Sequence, residues 1–485
     1  MKKGIIIFGV LALSSLNSTW GQLASRIRAY SETSVSDVHL QVYKSSSSTL
    51  LYYKESQTNR DVFIYNNKKY VMPIFTNPYG SITYSVNDMI VAGDCCFFCG
   101  KLFFPNEPPI YPPILDRSSN SSEKGYIACL YLDSIDDPYN PNVRCRFSFI
   151  DNTSEMTKMA IYSYSGDTAI AMIGKDDSPD RFPCLVSVTG TGSSWQNRVH
   201  HLFNATETLT DIALTDKSLV TTSCFEGDTT TFGVRYDNLF EFFNNNDVIE
   251  YVSLHKFDPQ NLLINPPSPP ATAWHRNNAT IRIVAVPFSN DVIVGQECHY
   301  FNGPSGSISS YINLYQIDGS IQYHVMMTKA LRTYCMPDNH DVFYDMLYIP
   351  PENKIAILQK HPTIYNGLKG TLSIVSLNNN TGTLYQSNSI IMSAMDIAAN
   401  KYVWIGGINK VNNTIAQACQ DITIDYNSCL KIDYSDVSTL TPLPNAIQST
   451  TVFFTESSTM LWQYISRVVP SPTYYNIECK KTYDK

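Results

Sequence analysis

Apolar residues along this chain fall in short runs of four to six, separated by turns rich in Asp, Asn, Gly and Ser, with no stretch of 3.6-residue periodicity. Such runs predict β-strands rather than helices. The runs recur in a phrase: an apolar strand with Asp near it, a tight turn, a second apolar strand ending in Gly or a charged residue, a variable loop, and a third strand. Clear instances are Asn87-Asp88-Met89-Ile90 followed by Cys96-Phe97-Phe98-Cys99-Gly100, and Asp345-Met346-Leu347 followed by Ile355-Ala356-Ile357-Leu358. Seven copies begin near residues 88, 159, 212, 285, 345, 396 and 451.

A fourth apolar segment follows most copies, as in Arg144 to Ile150 and Val199 to Phe203. Four strands per repeat of roughly 50 residues predict the blades of a β-propeller. The expectation is all-β, with seven four-stranded blades. The seventh copy, near 451, lacks a fourth strand before Lys485, so Lys69 to Phe75 is expected to close the ring from the N-terminal side and remove the open sheet edges. Val38 to Tyr43 with Leu50 to Tyr53 reads as a hairpin on the rim. The domain plan is therefore 1–21 export signal, 22–68 rim segment and 69–485 propeller. Six blades is the alternative if one phrase is a false repeat, and two β-sandwich domains parted at Pro266 to Pro270 is another, although the phrase continues across that stretch.

Composition narrows the function classes. The 485 residues include 35 Lys and Arg against 43 Asp and Glu, a net charge of −8, and no basic tract, which argues against nucleic acid as partner. Only 16% are charged while 43% are hydrophobic, which excludes a disordered chain. Lys2 and Lys3, the apolar run Gly4 to Leu13 and the small residues Thr19 and Gly21 form an export signal with cleavage expected before Gln22. No later run is long enough to span a bilayer as a helix. The expected location is the periplasm, cell surface or extracellular space.

The phrase Asn87-Asp88-Met89-Ile90-Val91, Cys96-Phe97-Phe98-Cys99-Gly100 and Gly125-Tyr126-Ile127-Ala128, together with the Lys-rich signal ending Trp20-Gly21-Gln22, resembles the secreted β-propeller-like proteins of unassigned function in Bacteroidetes. The resemblance covers residues 80–480 as a repeat style, implies an exported protein, and carries over no active-site residue. Asp133-Ser134-Ile135, Asp167-Thr168-Ala169 and Asp228-Thr229-Thr230 match the short O-glycosylation pattern of that phylum.

Twelve cysteines in an exported chain permit disulfides, and Cys419 with Cys429 is the expected pair. Cys96 and Cys99 lack the second pair a zinc site needs, and no metal or cofactor is expected. Ser121-Ser122-Glu123-Lys124 fits Ser-x-x-Lys without supporting partners. His200 and His201 alternate across a strand, and the acidic stretch Asp176 to Asp180 reads as a solvated loop. Recurrent Asp88, Asp211, Asp345 and Asp396 are read as turn or inter-blade hydrogen-bonding residues.

In a propeller the second strands end on the face where ligand sites are built. Lys101, Lys175, Glu226, Glu297, His361, Lys410 and Arg467 then form a ring, joined by Trp274 and His275 from a long insertion. Glu226 and Glu297 are the two carboxylates of that ring and the candidate general acid and base of a hydrolase or lyase. The favoured reading is a non-enzymatic binding module for a glycan or an envelope protein. A scaffold without a small ligand is the third class.

Overall fold

The computed structural model describes residues 23–482 apart from 31–33, 44–47, 66, 73, 78–79, 105–122, 133–142, 165–166, 179, 192–193, 203–206, 216–217, 226–230, 238–250, 258–271, 275–280, 303–306, 318–327, 338–341, 361–369, 399–400, 424–427, 435–436, 440–452, 461–463 and 469. Residues 1–21, expected from sequence to be an export signal, therefore lie outside the described residues. The strands assemble into seven antiparallel sheets arranged as a propeller.

Sheet 1 consists of Val35–Tyr43, Ser48–Glu55, Asp61–Tyr65 and Lys68–Val71. Sheet 2 is Gly80–Ala92, Cys95–Phe103, Glu123–Tyr131 and Val143–Phe149, and sheet 3 is Thr153–Tyr164, Asp167–Asp176, Pro183–Thr191 and Ser194–Leu202. Sheet 4 runs from Glu207–Leu214 through Ser218–Phe225 and Thr231–Asp237 to Tyr251–Phe257. Sheet 5 runs from Ile281–Ala285 through Val292–Asn302 and Ser307–Ile317 to Thr328–Cys335, and sheet 6 from Val342–Ile349 through Lys354–Lys360 and Thr371–Ser376 to Gly382–Gln386. Sheet 7 takes Ile390–Ala398, Tyr402–Asn409 and Ile415–Asp421 from the chain's later part and Leu23–Tyr30 from its start.

The ring is thus closed by an N-terminal strand, but by Leu23–Tyr30 and not by Lys69 to Phe75. Lys68–Val71 is the fourth strand of sheet 1, and residues 35–71 form that complete sheet where a rim hairpin was expected. Its inner strand, with Asp37 and His39 where other sheets carry an Asp flanked by apolar residues, does not resemble the phrase. The copy near 451 is no sheet of its own. Phe453–Met460, Tyr464–Val468, Pro470–Pro472 and Tyr475–Thr482 each add a fifth strand to the outer edge of a different sheet. Together with Lys431–Tyr434 and Val437–Thr439, which pair with the outer strands of sheets 6 and 5, these strands form a peripheral belt.

The packing explains why the phrase repeats. Among the described residues, apolar side chains of neighbouring sheets meet face to face, so the core is a series of layers. Tyr52, Phe63, Tyr70, Phe98, Tyr126 and Phe147 fill the layer between sheets 1 and 2, and Val38, Leu40, Leu51 and Trp404 the layer between sheets 7 and 1. Burying such side chains stabilises by about 1.5–3 kcal/mol each.

Inner strands carry a β-bulge at matching places, between Val86 and Asp88, Met156 and Lys158, Leu209 and Asp211, and Phe343 and Asp345. A bulge turns a side chain out of the pleat. It also pushes a carbonyl toward the second strand, and a glycine stands there. A Cβ on Gly100 would lie 1.9 Å from the Ser85 carbonyl oxygen, and one on Gly174 would lie 2.0 Å from that of Glu155. The Gly ending the second apolar run of the phrase is a requirement of the inner-strand bulge.

Candidate functional site: the axial cavity

The inner strands of all seven sheets converge on an axial cavity of about 410 Å³. Its wall carries Asp37 and His39 from sheet 1, Asn87 and Asp88 from sheet 2, Glu155 and Lys158 from sheet 3, Thr210 from sheet 4, Arg282 from sheet 5, Tyr344, Asp345 and Lys360 from sheet 6, and Ala394 and Met395 from sheet 7. Most of these positions lie at or beside the bulges, so the bulges aim the polar side chains at the axis.

Three of the four recurrent aspartates, Asp88, Asp211 and Asp396, stitch sheet to sheet. Asp88 Oδ2 accepts the Met159 N–H at 2.9 Å, Asp211 Oδ2 accepts the Ile283 N–H at 2.9 Å, and Asp396 Oδ2 accepts the Val42 N–H at 2.6 Å. The second oxygen takes the next residue's own N–H in Asp211, Asp345 and Asp396. Burial raises Asp88 and Asp211 above the ordinary carboxylate range and pushes Asp396 up to about 6. Such a carboxylate, holding two backbone donors, is a structural acceptor first.

Basic residues interrupt this acidic ring. Lys158 occupies in sheet 3 the place that Asp88 holds in sheet 2, with Nζ 3.7 Å from Asp88 Oδ1. Burial would lower its pKa, but Asp88, Asp345 and Asp211 around it outweigh that and hold the ammonium above the usual lysine range. Arg282 donates from Nε to the Tyr344 carbonyl at 2.6 Å and from Nη1 to the Thr210 carbonyl at 3.3 Å, tying sheets 4, 5 and 6 together. Lys360 Nζ sits 3.3 Å from the centroid of the Tyr344 ring, a cation–π contact. His39 is pushed down to about 3 by burial, with Lys360 and Lys158 adding to it, so its imidazole is neutral at pH 7. Asn87 donates to Glu155 Oε1 at 3.0 Å and to the Met156 carbonyl at 2.8 Å, which orients Glu155.

The ring expected at the second-strand ends is mostly not the cavity wall. Lys101 stands one step behind it, 3.2 Å from Glu123 and 3.8 Å from Glu155, with Nζ over Phe103. Lys175 lies opposite Glu155 across the bulged pair of strands and does not line the cavity. Glu297 is 1% exposed and accepts the Phe343 N–H at 3.2 Å, so it joins sheets 5 and 6. Lys410 Nζ donates to the Ser387 carbonyl at 2.9 Å, and Arg467 belongs to the belt, opposite Arg144. Trp274 lies in the short strand Thr272–Trp274, paired with His299. Glu226, His275 and His361 lie outside the described residues.

Two other expectations change. Cys429 bonds Cys479, and Cys419 is a free, buried thiol in the layer between sheets 7 and 1. Asp176 is buried and not solvated. It accepts from the Ser178 N–H and hydroxyl, lies 3.0 Å from His201 Nδ1, and is held below the usual carboxylate range by these bonds in spite of burial.

The cavity residues that sequence reading missed are Asp37, His39, Glu155, Lys158, Arg282 and Lys360. Their signal is positional. With the phrases aligned on the bulge, sheet 3 shows Lys158 where sheets 2, 4 and 6 show Asp.

No family model and no curated protein matches the chain. Among solved structures, the crystal structure of polysaccharide lyase Uly1 is similar over 79% of this chain and 89% of that one, at 9% identity and a TM-score of 0.31. At this level the likeness says nothing about substrate or catalytic residues. No helix among the described residues is long and apolar enough to cross a membrane.

Proposed function

We propose that the protein is an exported binding module whose axial cavity takes a small, uncharged, hydroxyl-rich ligand of the saccharide class. The observation that carries this reading is the convergence of all seven inner strands on one cavity whose wall alternates acceptors and donors. A hydroxyl both donates and accepts, so such a wall suits it. Asp37, Asp88, Glu155 and Asp345 stand against Lys158, Arg282 and Lys360, so neither sign dominates and a strongly charged ligand gains little. The volume lies within the range of small-molecule sites.

Binding without catalysis is favoured by how the ionisable groups are used. Glu297, one of the two carboxylates proposed from sequence as acid and base, is committed to a backbone N–H away from the cavity wall. Asp88 and Lys158 neutralise one another. Export is supported by the signal-like residues 1–21 and by the Cys429–Cys479 disulfide, which persists in oxidising compartments.

The test is a panel of neutral and acidic oligosaccharides presented to the chain from Gln22 to Lys485, with reducing sugar released in the same wells measured in parallel. Neutral glycans are expected to bind without release, and Lys360→Met to weaken the binding. Release of reducing ends would make the protein an enzyme, and silence across the panel would contradict a saccharide ligand.

A further inference from the structure

After Asp421 the described strands pair with the outer edges of the sheets. Lys431–Tyr434 pairs with the fourth strand of sheet 6 and Val437–Thr439 with that of sheet 5. Residues 440–452 lie outside the described residues. Phe453–Met460 then pairs with sheet 3, Tyr464–Val468 with sheet 2, Pro470–Pro472 with sheet 1 and Tyr475–Thr482 with sheet 7. The order runs opposite to that of the sheets and ends where it began. The Cys429 N–H donates to Ser25 Oγ in the fourth strand of sheet 7, and Cys479 lies on the fifth strand of the same sheet. Their disulfide closes a covalent loop spanning 50 positions.

Two further observations bear on what this loop does. The belt's ladders are uneven, with three residue pairs on sheet 5 and three on sheet 1, where Pro470 and Pro472 have no N–H to offer, against eight on sheet 3 and seven on sheet 7. From Lys431 onward, among residues whose burial is described, only Thr473 is buried, whereas Pro183–Thr191, Thr371–Ser376 and Ile415–Asp421, third strands of sheets 3, 6 and 7, are buried over most or all of their length. The clasp itself is half-exposed at both cysteines. Burial pushes the thiols of Cys96, Cys99, Cys129, Cys145, Cys184 and Cys419 up, so they remain protonated and inert toward it.

We infer that Tyr475–Thr482 is a redox-fastened strand that opens separately from the propeller. Oxidised, the Cys429–Cys479 bond ties both ends of the belt to sheet 7 and holds Tyr475–Thr482 against the closing strand Leu23–Tyr30. A dithiol reductant opens it. A reductant thiolate attacks one sulfur, the other leaves as a thiolate and takes a proton, and the reductant's second thiol resolves the mixed disulfide, leaving two cysteine thiols and an oxidised reductant. The terminal strand then peels away and bares the outer edge of Leu23–Tyr30.

Hydrogen exchange of the folded chain, with and without dithiothreitol under native conditions, tests this. Amides of 475–482 are expected to exchange on the order of a hundredfold faster when reduced, while those of 170–173 in the second strand of sheet 3 keep their protection. The Cys429→Ser/Cys479→Ser double variant should show the fast pattern without reductant. Unchanged exchange in 475–482 on reduction would overturn the inference, and so would an equal rise in 170–173, which would make the bond a global stabiliser.

Discussion

Asp396, on the inner strand of sheet 7, accepts the backbone N–H of Val42, on the inner strand of sheet 1, at 2.6 Å. The two residues are 354 positions apart, and their bond spans the junction where the ring closes. Asp88 with Met159 and Asp211 with Ile283 repeat the same bond elsewhere in the ring. Replacing Asp396 by Ala leaves two inner-strand N–H groups without this acceptor, at a cost of about 1–3 kcal/mol for each that stays dry. Denaturant unfolding of Asp396→Ala is therefore expected to show a lowered midpoint, and an unchanged midpoint would remove the closing role.

The same carboxylate gives a pH dependence of definite sign. Asp396 and Asp61 are both pushed up to about 6 by burial, against about 3.9 in an unfolded chain. Between about pH 4 and pH 6 the folded form holds protons that the unfolded form has released. These two groups therefore stabilise the fold at the acid end of that window, and the contribution falls as pH rises through 6, by up to about 1.4 kcal/mol per unit for each. Asp176 and Glu55, both held low, pull the opposite way, so the comparison is with variants. Asp396→Asn and Asp61→Asn should each retain less of the stability difference between pH 4.5 and pH 6 that these groups produce. Identical pH profiles in wild type and variants would contradict the assignment.

Gly174 faces the bulge of the inner strand of sheet 3, where a Cβ would meet the Glu155 carbonyl at 2.0 Å and Met156 Cε at 2.5 Å. The methionine tip can yield, but the backbone oxygen of a strand paired along its length cannot. Gly174→Ala is expected to lower stability by about 1–3 kcal/mol or more. Gly93, which has nothing within 4 Å of its Cβ position but a φ of +56°, offers a contrast in cause: its substitution strains a turn and leaves the bulge intact. Retained stability in Gly174→Ala would show that the bulge tolerates a side chain.

Closing a loop of 50 residues restricts the unfolded chain by about 4 kcal/mol in the entropic account. Non-reducing digestion followed by mass spectrometry should recover a peptide containing Cys429 linked to one containing Cys479, with Cys419 alkylatable only after unfolding. A Cys419–Cys429 peptide would contradict the belt's path.

The layered core was legible because each layer needs the same strands. Short apolar runs such as Ile355-Ala356-Ile357-Leu358 are buried on both faces, and that condition recurs sheet after sheet. Two parts were not legible. Val35–Tyr43 carries Ser36, Asp37 and His39 in an inner strand, so the first sheet does not read as a repeat. The belt strands add apolar runs such as Thr451 to Phe454 that imitate the start of a phrase, and strand pairing at a sheet's outer edge leaves no periodic mark of its own. For the cavity, the recurrent aspartates were visible and rightly read as structural. Lys158 and Arg282 were not, because a single basic residue in a strand has no local signature and acquires meaning only when the inner strands are brought to one axis.

The central claim is that the axial cavity binds the ligand. Gln41 lines it from the first inner strand, and Gln41→Trp would place an indole in the space without removing any of the inter-sheet bonds described above. Calorimetric titration of the tightest-binding neutral oligosaccharide into wild type and Gln41→Trp, with unfolding midpoints measured on the same samples, is the most direct test. A loss of at least about tenfold in affinity, equal to about 1.4 kcal/mol, at an unchanged midpoint is the predicted result. Equal affinity in the two proteins would place the ligand elsewhere and contradict the account.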